Sequence, residues 1–169
     1  MNDRELLLDR LKAGRDELLA AVEGMTDAQA AAKPAGGGWS ALDSVEHVAT
    51  VETLVLRRMR TQTTVVEEEM SREREATFYG AIASRAKKFQ APEFAHPTGR
   101  YATLSEAVQR FVAARERMVR WVEDCDFDLR RRSVVHPAFG VISGYEMILI
   151  GAAHAARHAR QIVEGRAAA

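Results

Sequence analysis

Two histidines stand four residues apart near the end of the chain, His154 and His158. On an α-helix this spacing places both imidazoles one turn apart on the same side, where they can chelate a divalent metal ion. A helical wheel puts them on the apolar arc with Met147, Ile150 and Ile162. Two core-facing imidazoles need partners for their polar nitrogens, and a metal ion would satisfy both at once. The pattern predicts a metal site, with hydrogen-bonded core histidines as the alternative.

A third imidazole is available on another predicted helix. His47 lies with Val51 and Leu54 on a flank of that helix's apolar face, so side-by-side packing of the two helices would complete a three-histidine site. Three neutral nitrogen ligands with an open position are typical of a catalytic metal centre rather than a closed structural one. Zn²⁺ is our first choice for the ion, while Ni²⁺ and Fe²⁺ also accept imidazole.

Three further polar residues are candidates for a role near this site. Glu52 falls among apolar positions and could transfer protons, but an ion pair with Arg115 is the favoured alternative because buried charges need partners. Gln161 follows His158 by one turn and could orient a ligand or a water, or make an ordinary polar contact. His136 precedes a proline in a loop, where it could line the mouth of the site or serve only the loop structure.

Helices must position these side chains, since Ala, Leu, Glu and Arg dominate and the four prolines fall at breaks in the apolar periodicity. Four long helices are predicted over residues 3–23, 41–69, 103–124 and 143–165. Capping residues mark their starts, as at Ser40 and Ser143. A short helix is predicted to begin at Thr26 and to stop before Pro34.

The link between the second and third long helices is itself long. Residues 78–89 carry Phe78, Ile82, Arg85 and Phe89 at helical spacing, which indicates a helical crossover segment followed by a proline-containing loop. Val134 and Val135 are predicted to form a short extended piece. The predicted fold is all-α, a four-helix bundle with a crossover connection, in one domain over residues 1–169.

Composition excludes several classes of function. The chain has 24 Lys and Arg against 24 Asp and Glu, so its net charge is zero, and nucleic-acid binders carry a basic excess. No apolar run approaches the roughly 20 residues of a transmembrane helix. The charged start is unlike a secretory signal, and the single cysteine, Cys125, cannot form an internal disulfide. We expect a soluble protein of the cytoplasm that binds neither nucleic acid nor membrane.

The ordered motifs resemble those of the DinB-like superfamily of four-helix bundles. Trp39-Ser40 and Glu46-His47-Val48 are similar to its first motif. The sequences at 136–140 (HPAFG) and 154–162 (HAARHARQI) are similar to its second. The resemblance implies a metal ion, commonly zinc or nickel, on three histidines that match His47, His154 and His158. It also implies a frequent homodimer, and in some relatives a low-molecular-weight thiol substrate.

Two kinds of chemistry suit an open three-histidine centre. It can polarise a substrate oxygen or activate a water, which predicts a hydrolase. It can also bind a thiol as thiolate, which predicts a thiol S-transferase or a thiol-dependent isomerase. The resemblance favours the thiol chemistry, and a non-catalytic dimeric module with a structural metal is the remaining alternative.

Overall fold

The computed structural model describes residues 2–73, 75–87 and 89–167, apart from the side chain of Ala76. Its helices are α1 (Asp3–Val22), α2 (Asp27–Ala31), α3 (Ala41–Thr61), α4 (Glu75–Ala83), α5 (Leu104–Asp124) and α6 (Gly144–Ala167). Its strands are β1 (Thr64–Val65), β2 (Arg132–His136) and β3 (Gly140–Ser143). None of the helices in these ranges combines the length and the apolarity that crossing a bilayer requires.

Side-chain caps fix where the helices begin. The Ser40 hydroxyl accepts a hydrogen bond from the Asp43 amide (3.0 Å), and the Asp43 carboxylate accepts one from the Ser40 amide (2.9 Å). Ser143 and Glu146 form the same reciprocal pair at the start of α6. Each pair satisfies backbone N–H groups that the first helical turn leaves without partners, which confirms the predicted starts.

The four long helices pack as a bundle around an apolar core. α1 packs most extensively against α6, and α3 against α5, while α3 also contacts α6 and α4 covers the outside of α6. The largest fully buried apolar side chains are Leu7, Leu11, Leu18, Met59, Phe111, Met118, Ile142, Tyr145, Met147 and Ile148. The predicted four-helix bundle with a crossover between its second and third long helices is confirmed.

The predicted end of the second long helix is wrong. α3 stops at Thr61, not at residues 67–69, and the chain then forms the short strand β1. Residues 63–66 are Thr-Thr-Val-Val, a β-branched run whose restricted side chains favour extended backbone over helix. β1 pairs with β2, and the predicted extended piece at 134–135 lies within β2.

A β-hairpin precedes α6 where no second strand was expected. β2 pairs antiparallel with β3, with Val134 opposite Ile142 and His136 opposite Gly140. Gly140 has φ +69°, a left-handed conformation that glycine adopts without steric strain. The hairpin brings His136 and Phe139 over α6, into the region of the predicted site.

The crossover is helical only in its first part. α4 ends at Ala83, so Phe78 and Ile82 lie on it and are buried, while Arg85 and Phe89 lie beyond its end. The buried Arg157 of α6 donates to the carbonyls of residues 82, 84 and 87, and thereby holds the chain as it leaves α4. These carbonyl partners explain why the helical spacing does not continue as helix.

Gly14 allows the close approach of α1 to α6. A Cβ at this position would lie 2.3 Å from the Ala152 backbone oxygen, so Gly14→Ala must push the two helices apart. We expect a loss of about 1–3 kcal/mol in the free energy of unfolding, measured by urea titration. Gly80→Ala is the matched control, because its added Cβ meets nothing within 4 Å. The control should be neutral or stabilising by about 0.5–1 kcal/mol, and equal effects of the two variants would contradict the packing.

Candidate metal centre

The three histidines predicted as ligands lie together between α3 and α6. His47 Nε2 is 3.0 Å from His154 Nε2, which in turn is 3.2 Å from His158 Nε2. One ligand nitrogen from each ring lies within 4.8 Å of the other two. Helix geometry explains the convergence, since His154 and His158 share one face of α6 and His47 projects from the second turn of α3.

A backbone contact fixes the orientation of His47. Its Nδ1 lies 2.6 Å from the Ala95 carbonyl oxygen, which can only accept, so Nδ1 carries the proton. The lone pair of a neutral ring is then on Nε2, the atom that faces the other two histidines. Hydrogen bonding of the second ring nitrogen to a carbonyl is the usual way in which a protein orients a metal-ligating histidine.

The protonation of the three rings suits a cation. Burial lowers the pKa of His154 well below its ordinary value, and the neighbouring His158 and His47 lower it further. Burial also lowers the pKa of His158 well below its ordinary value. It lowers the pKa of His47 too, where the hydrogen bond to Ala95 opposes the effect of burial. All three imidazoles are therefore neutral at pH 7, the form that binds metal.

The donor set fits a divalent ion better than it fits hydrogen bonding within the cluster. A ring nitrogen carries at most one proton, so His154 Nε2 cannot make a full hydrogen bond to both of its nitrogen neighbours. Nitrogens that share one ion at about 2.0–2.1 Å lie roughly 3 Å apart, close to the spacings of this cluster. His47, His154 and His158 would hold the ion.

Glu46 holds the segment that carries the Ala95 carbonyl. Its buried carboxylate accepts hydrogen bonds from the backbone amides of Thr98 (2.7 Å) and Arg100 (2.9 Å). Adjacent residues of α3 thus bind the same stretch of the crossover, Glu46 at residues 98–100 and His47 at Ala95. The position of the His47 ring therefore depends on the path of the crossover.

Trp39 forms one wall of the centre. Its ring plane is 21° from that of His158, with centroids 5.9 Å apart, and is tilted by 51° against His47 at 4.6 Å. The indole reaches this place because Ser40, the next residue, caps α3. The aromatic face packs the two imidazoles from one side and restricts their rotation.

The histidines line a cavity of about 710 Å³. Most of its walls are apolar, including Leu54, Val55, Phe139 and Ile150. No aspartate or glutamate lines it among the residues that the structure describes, whereas Arg58, Arg85 and Arg157 do. Apolar walls with a few polar groups at defined points are typical of a small-molecule site.

Comparison with known proteins agrees with this architecture. The sequence profile of the DinB superfamily matches residues 10–162. The chain belongs to the DinB superfamily. A solved four-helix bundle protein, TT2238, is similar in fold, with a TM-score of 0.61 and 23% identity over 94% of this chain and 95% of that one. No curated protein matches the sequence.

In this DinB-superfamily protein, Glu52 lies away from the cavity walls. Both of its carboxylate oxygens bind Arg115, at 3.0 and 2.6 Å, and each side chain is 1% exposed. Burial raises the pKa of Glu52, while the Arg115 guanidinium lowers it. The ion pair that the sequence favoured is thus present, and it occupies the carboxylate that proton transfer would need.

His136 and Gln161 both line the cavity. The ring of His136 stacks on Phe139, with centroids 4.9 Å apart, and its Nδ1 accepts a hydrogen bond from the Ala138 amide (3.1 Å). The Gln161 carbonyl accepts a hydrogen bond from Arg85 (3.3 Å). Neither side chain belongs to the histidine cluster, so their roles near a ligand stay predictions.

Sequence reasoning missed the Ala95 carbonyl and the cavity arginines. A backbone acceptor 48 residues from His47 has no signal in the sequence. The position of Arg58 could have been predicted from the sequence, because it lies eleven residues after His47 and therefore on nearly the same face of α3.

Proposed function

We propose that this DinB-superfamily protein is a metal-dependent enzyme that acts on thiols, as an S-transferase or a thiol-dependent isomerase. The observation that carries the proposal is the convergence of three neutral imidazole nitrogens on an open cavity. A cation bound there would have protein ligands on one side only, which is the mark of a catalytic centre. We propose Zn²⁺ as the resident ion, with Ni²⁺ and Fe²⁺ as alternatives that imidazole also accepts.

The charges of the cavity favour thiol chemistry over hydrolysis. A divalent cation held by the three histidines would bind a thiol sulfur and favour its deprotonated, nucleophilic form. Hydrolysis generally needs a positioned proton acceptor beside the attacking water. The described cavity walls offer no carboxylate for that task, and Glu52 is bound to Arg115. Of the two wall imidazoles outside the cluster, His136 already accepts from the Ala138 amide through Nδ1, and His96 has its Nε2 at the Ala91 carbonyl.

The chain's own residues prepare the site for an anionic sulfur. The cavity arginines favour negative charge within it, and the apolar walls strengthen that attraction by excluding water. His47 keeps its lone pair directed at the cluster through its bond to Ala95. Trp39 limits rotation of His158 and presents a flat face that an apolar electrophile can contact.

Proton release on thiol binding tests the proposal. N-acetylcysteine is titrated into the Zn²⁺-loaded chain by calorimetry, in two buffers that differ in ionisation enthalpy. We expect about one proton released per thiol bound, because the sulfur binds as thiolate. Loss of N-acetylcysteine in the presence of 1-chloro-2,4-dinitrobenzene then measures S-transfer.

His154→Ala is the matched control and should release no proton. Thiol binding without proton release by the loaded wild type would overturn the thiol proposal. A chain that holds metal but ignores thiols and hydrolysable esters alike would favour the non-catalytic module. The homodimer and the location in the cytoplasm stay predictions.

A further inference from the structure

The cavity extends well beyond the histidine cluster. His47, Val51, Leu54, Val55 and Arg58 all line it from α3, at a spacing that keeps them on one face of the helix. From His47 to Arg58 the helix rises about 16 Å, at about 1.5 Å per residue. The cavity therefore has a histidine end and an arginine end, joined by apolar wall.

Arg58 is the cavity arginine whose charge is available to a ligand. Arg157 donates to three backbone carbonyls, and Arg85 binds Glu164 and Gln161. In the described parts of the chain, the guanidinium of Arg58 makes a single long contact, 3.4 Å to the Val135 carbonyl, and no ion pair. Its remaining donors are free to bind an anion.

His136 supplies a second donor beside Arg58. Because its Nδ1 accepts a hydrogen bond from the Ala138 amide, a neutral ring carries its proton on Nε2. Burial and the nearby Arg58 lower the pKa of His136 to about 4, which keeps the ring neutral at pH 7. Val135, the residue before His136, is the one that Arg58 contacts, so the two donors flank the same end of the cavity.

From this arrangement we infer that Arg58 and His136 Nε2–H form a subsite for a carboxylate of the substrate. One cation and one neutral donor balance a single negative charge, and a planar guanidinium matches the two oxygens of a carboxylate. The inference rests on the proposed function for the thiol end of the substrate. The substrate would then be an elongated thiol that carries a carboxylate at the end opposite the sulfur, with an apolar segment between them.

Matched ligands test the subsite. 11-Mercaptoundecanoate and 11-mercaptoundecanol differ only in the carboxylate, and their dissociation constants for the Zn²⁺-loaded chain can be measured by calorimetry. Arg58→Met should weaken binding of the carboxylate about ten- to hundredfold, the range for hydrogen bonds to charged groups. Binding of the alcohol should change by less than about threefold, because the alcohol presents no charge to the guanidinium.

Arg57→Met is the control variant, because Arg57 is exposed on the neighbouring face of α3 and does not line the cavity. It should leave both dissociation constants unchanged. His136→Asn gives a second test if Arg58→Met does not fold, since the amide can still accept from the Ala138 N–H while the Nε2–H donor is lost. It should weaken binding of the carboxylate in the same direction.

Undecanoate and undecanol, titrated into the chelator-treated chain, separate this inference from the proposed function. These ligands lack sulfur, so a loss confined to undecanoate in Arg58→Met supports the subsite whatever the fate of the thiol chemistry. Equal losses for acid and alcohol, no loss, or no binding of undecanoate by the wild type would overturn the subsite. A subsite that stands while Zn²⁺ leaves 11-mercaptoundecanoate binding unchanged would contradict the proposed function alone.

Discussion

His154→Ala is expected to abolish metal binding by this chain. Its Nε2 is the central atom of the cluster, 3.0 Å from His47 Nε2 and 3.2 Å from His158 Nε2. Removing a residue that only hydrogen-bonds to a metal ligand commonly lowers the affinity for the metal about 10- to 100-fold. Removing the ligand itself should therefore lower the metal affinity more than about 100-fold. Elemental analysis should find about one divalent ion per wild-type chain and almost none in the variant.

His96→Ala is the matched control for this prediction. His96 also lines the cavity and contacts Trp39, but it lies outside the cluster and binds the Ala91 carbonyl. It should retain the metal. Metal that binds only the native state raises the melting temperature, so a chelator should lower it in the wild type and in His96→Ala but not in His154→Ala. A His154→Ala variant that retains as much metal as His96→Ala and the wild type would exclude His154 as a ligand.

Arg115→Met is expected to cause the largest loss of stability. Arg115 binds Glu52 of α3 and donates to the backbone carbonyls of Leu11 in α1 and Gly151 in α6 (3.2 Å), so one side chain of α5 contacts all three other bundle helices. Removing it leaves a buried carboxylate without a partner. We expect a loss of about 3–5 kcal/mol in the free energy of unfolding.

The pH dependence of this variant has a definite sign. Burial already raises the pKa of Glu52 above its ordinary value of 4.5, and loss of Arg115 removes the group that opposes that rise. Above pH 4.5, Glu52 releases its proton in the unfolded chain but keeps it in the folded variant. The free energy of unfolding of the variant therefore falls as pH rises. The stability that Arg115→Met loses relative to the wild type should therefore be smaller at pH 5 than at pH 8.

The double variant Glu52→Leu/Arg115→Met removes both charges and is the control. It should recover much of the lost stability, since well-packed apolar residues often replace a buried ion pair without net loss. A double variant as unstable as Arg115→Met, measured by urea unfolding at pH 7, would show that lost packing and not the unpaired charge is the cause.

Local signals in the sequence were sufficient for much of the fold and for the histidine cluster. Helix starts depend on residues three apart, so the Ser40 and Ser143 caps could be identified directly. The apolar stripe of α6 placed His154 and His158 toward the core. Glu52 on the apolar stripe of α3 was correctly expected to pair with Arg115 on that of α5.

What the sequence could not supply depends on contacts between distant segments. β1 forms because β2 is present to pair with it, 68 residues along the chain from Thr64 to Arg132, and no local periodicity specifies that pairing. The Ala95 carbonyl reaches His47 from a segment of the crossover that Glu46 holds through the amides of Thr98 and Arg100. Whether the Arg58 guanidinium can bind a ligand depends likewise on where the β2–β3 hairpin lies.

Diffraction at the metal absorption edge, on crystals grown with Zn²⁺ and then with Ni²⁺, tests the three-histidine centre most directly. We expect one strong anomalous peak, bonded to Nε2 of His47, His154 and His158 at about 2.0–2.1 Å. His154→Ala crystals should lack that peak. An anomalous peak elsewhere in a metal-replete crystal, with the three imidazoles hydrogen-bonded to one another or to water, would show that these histidines are not the metal ligands.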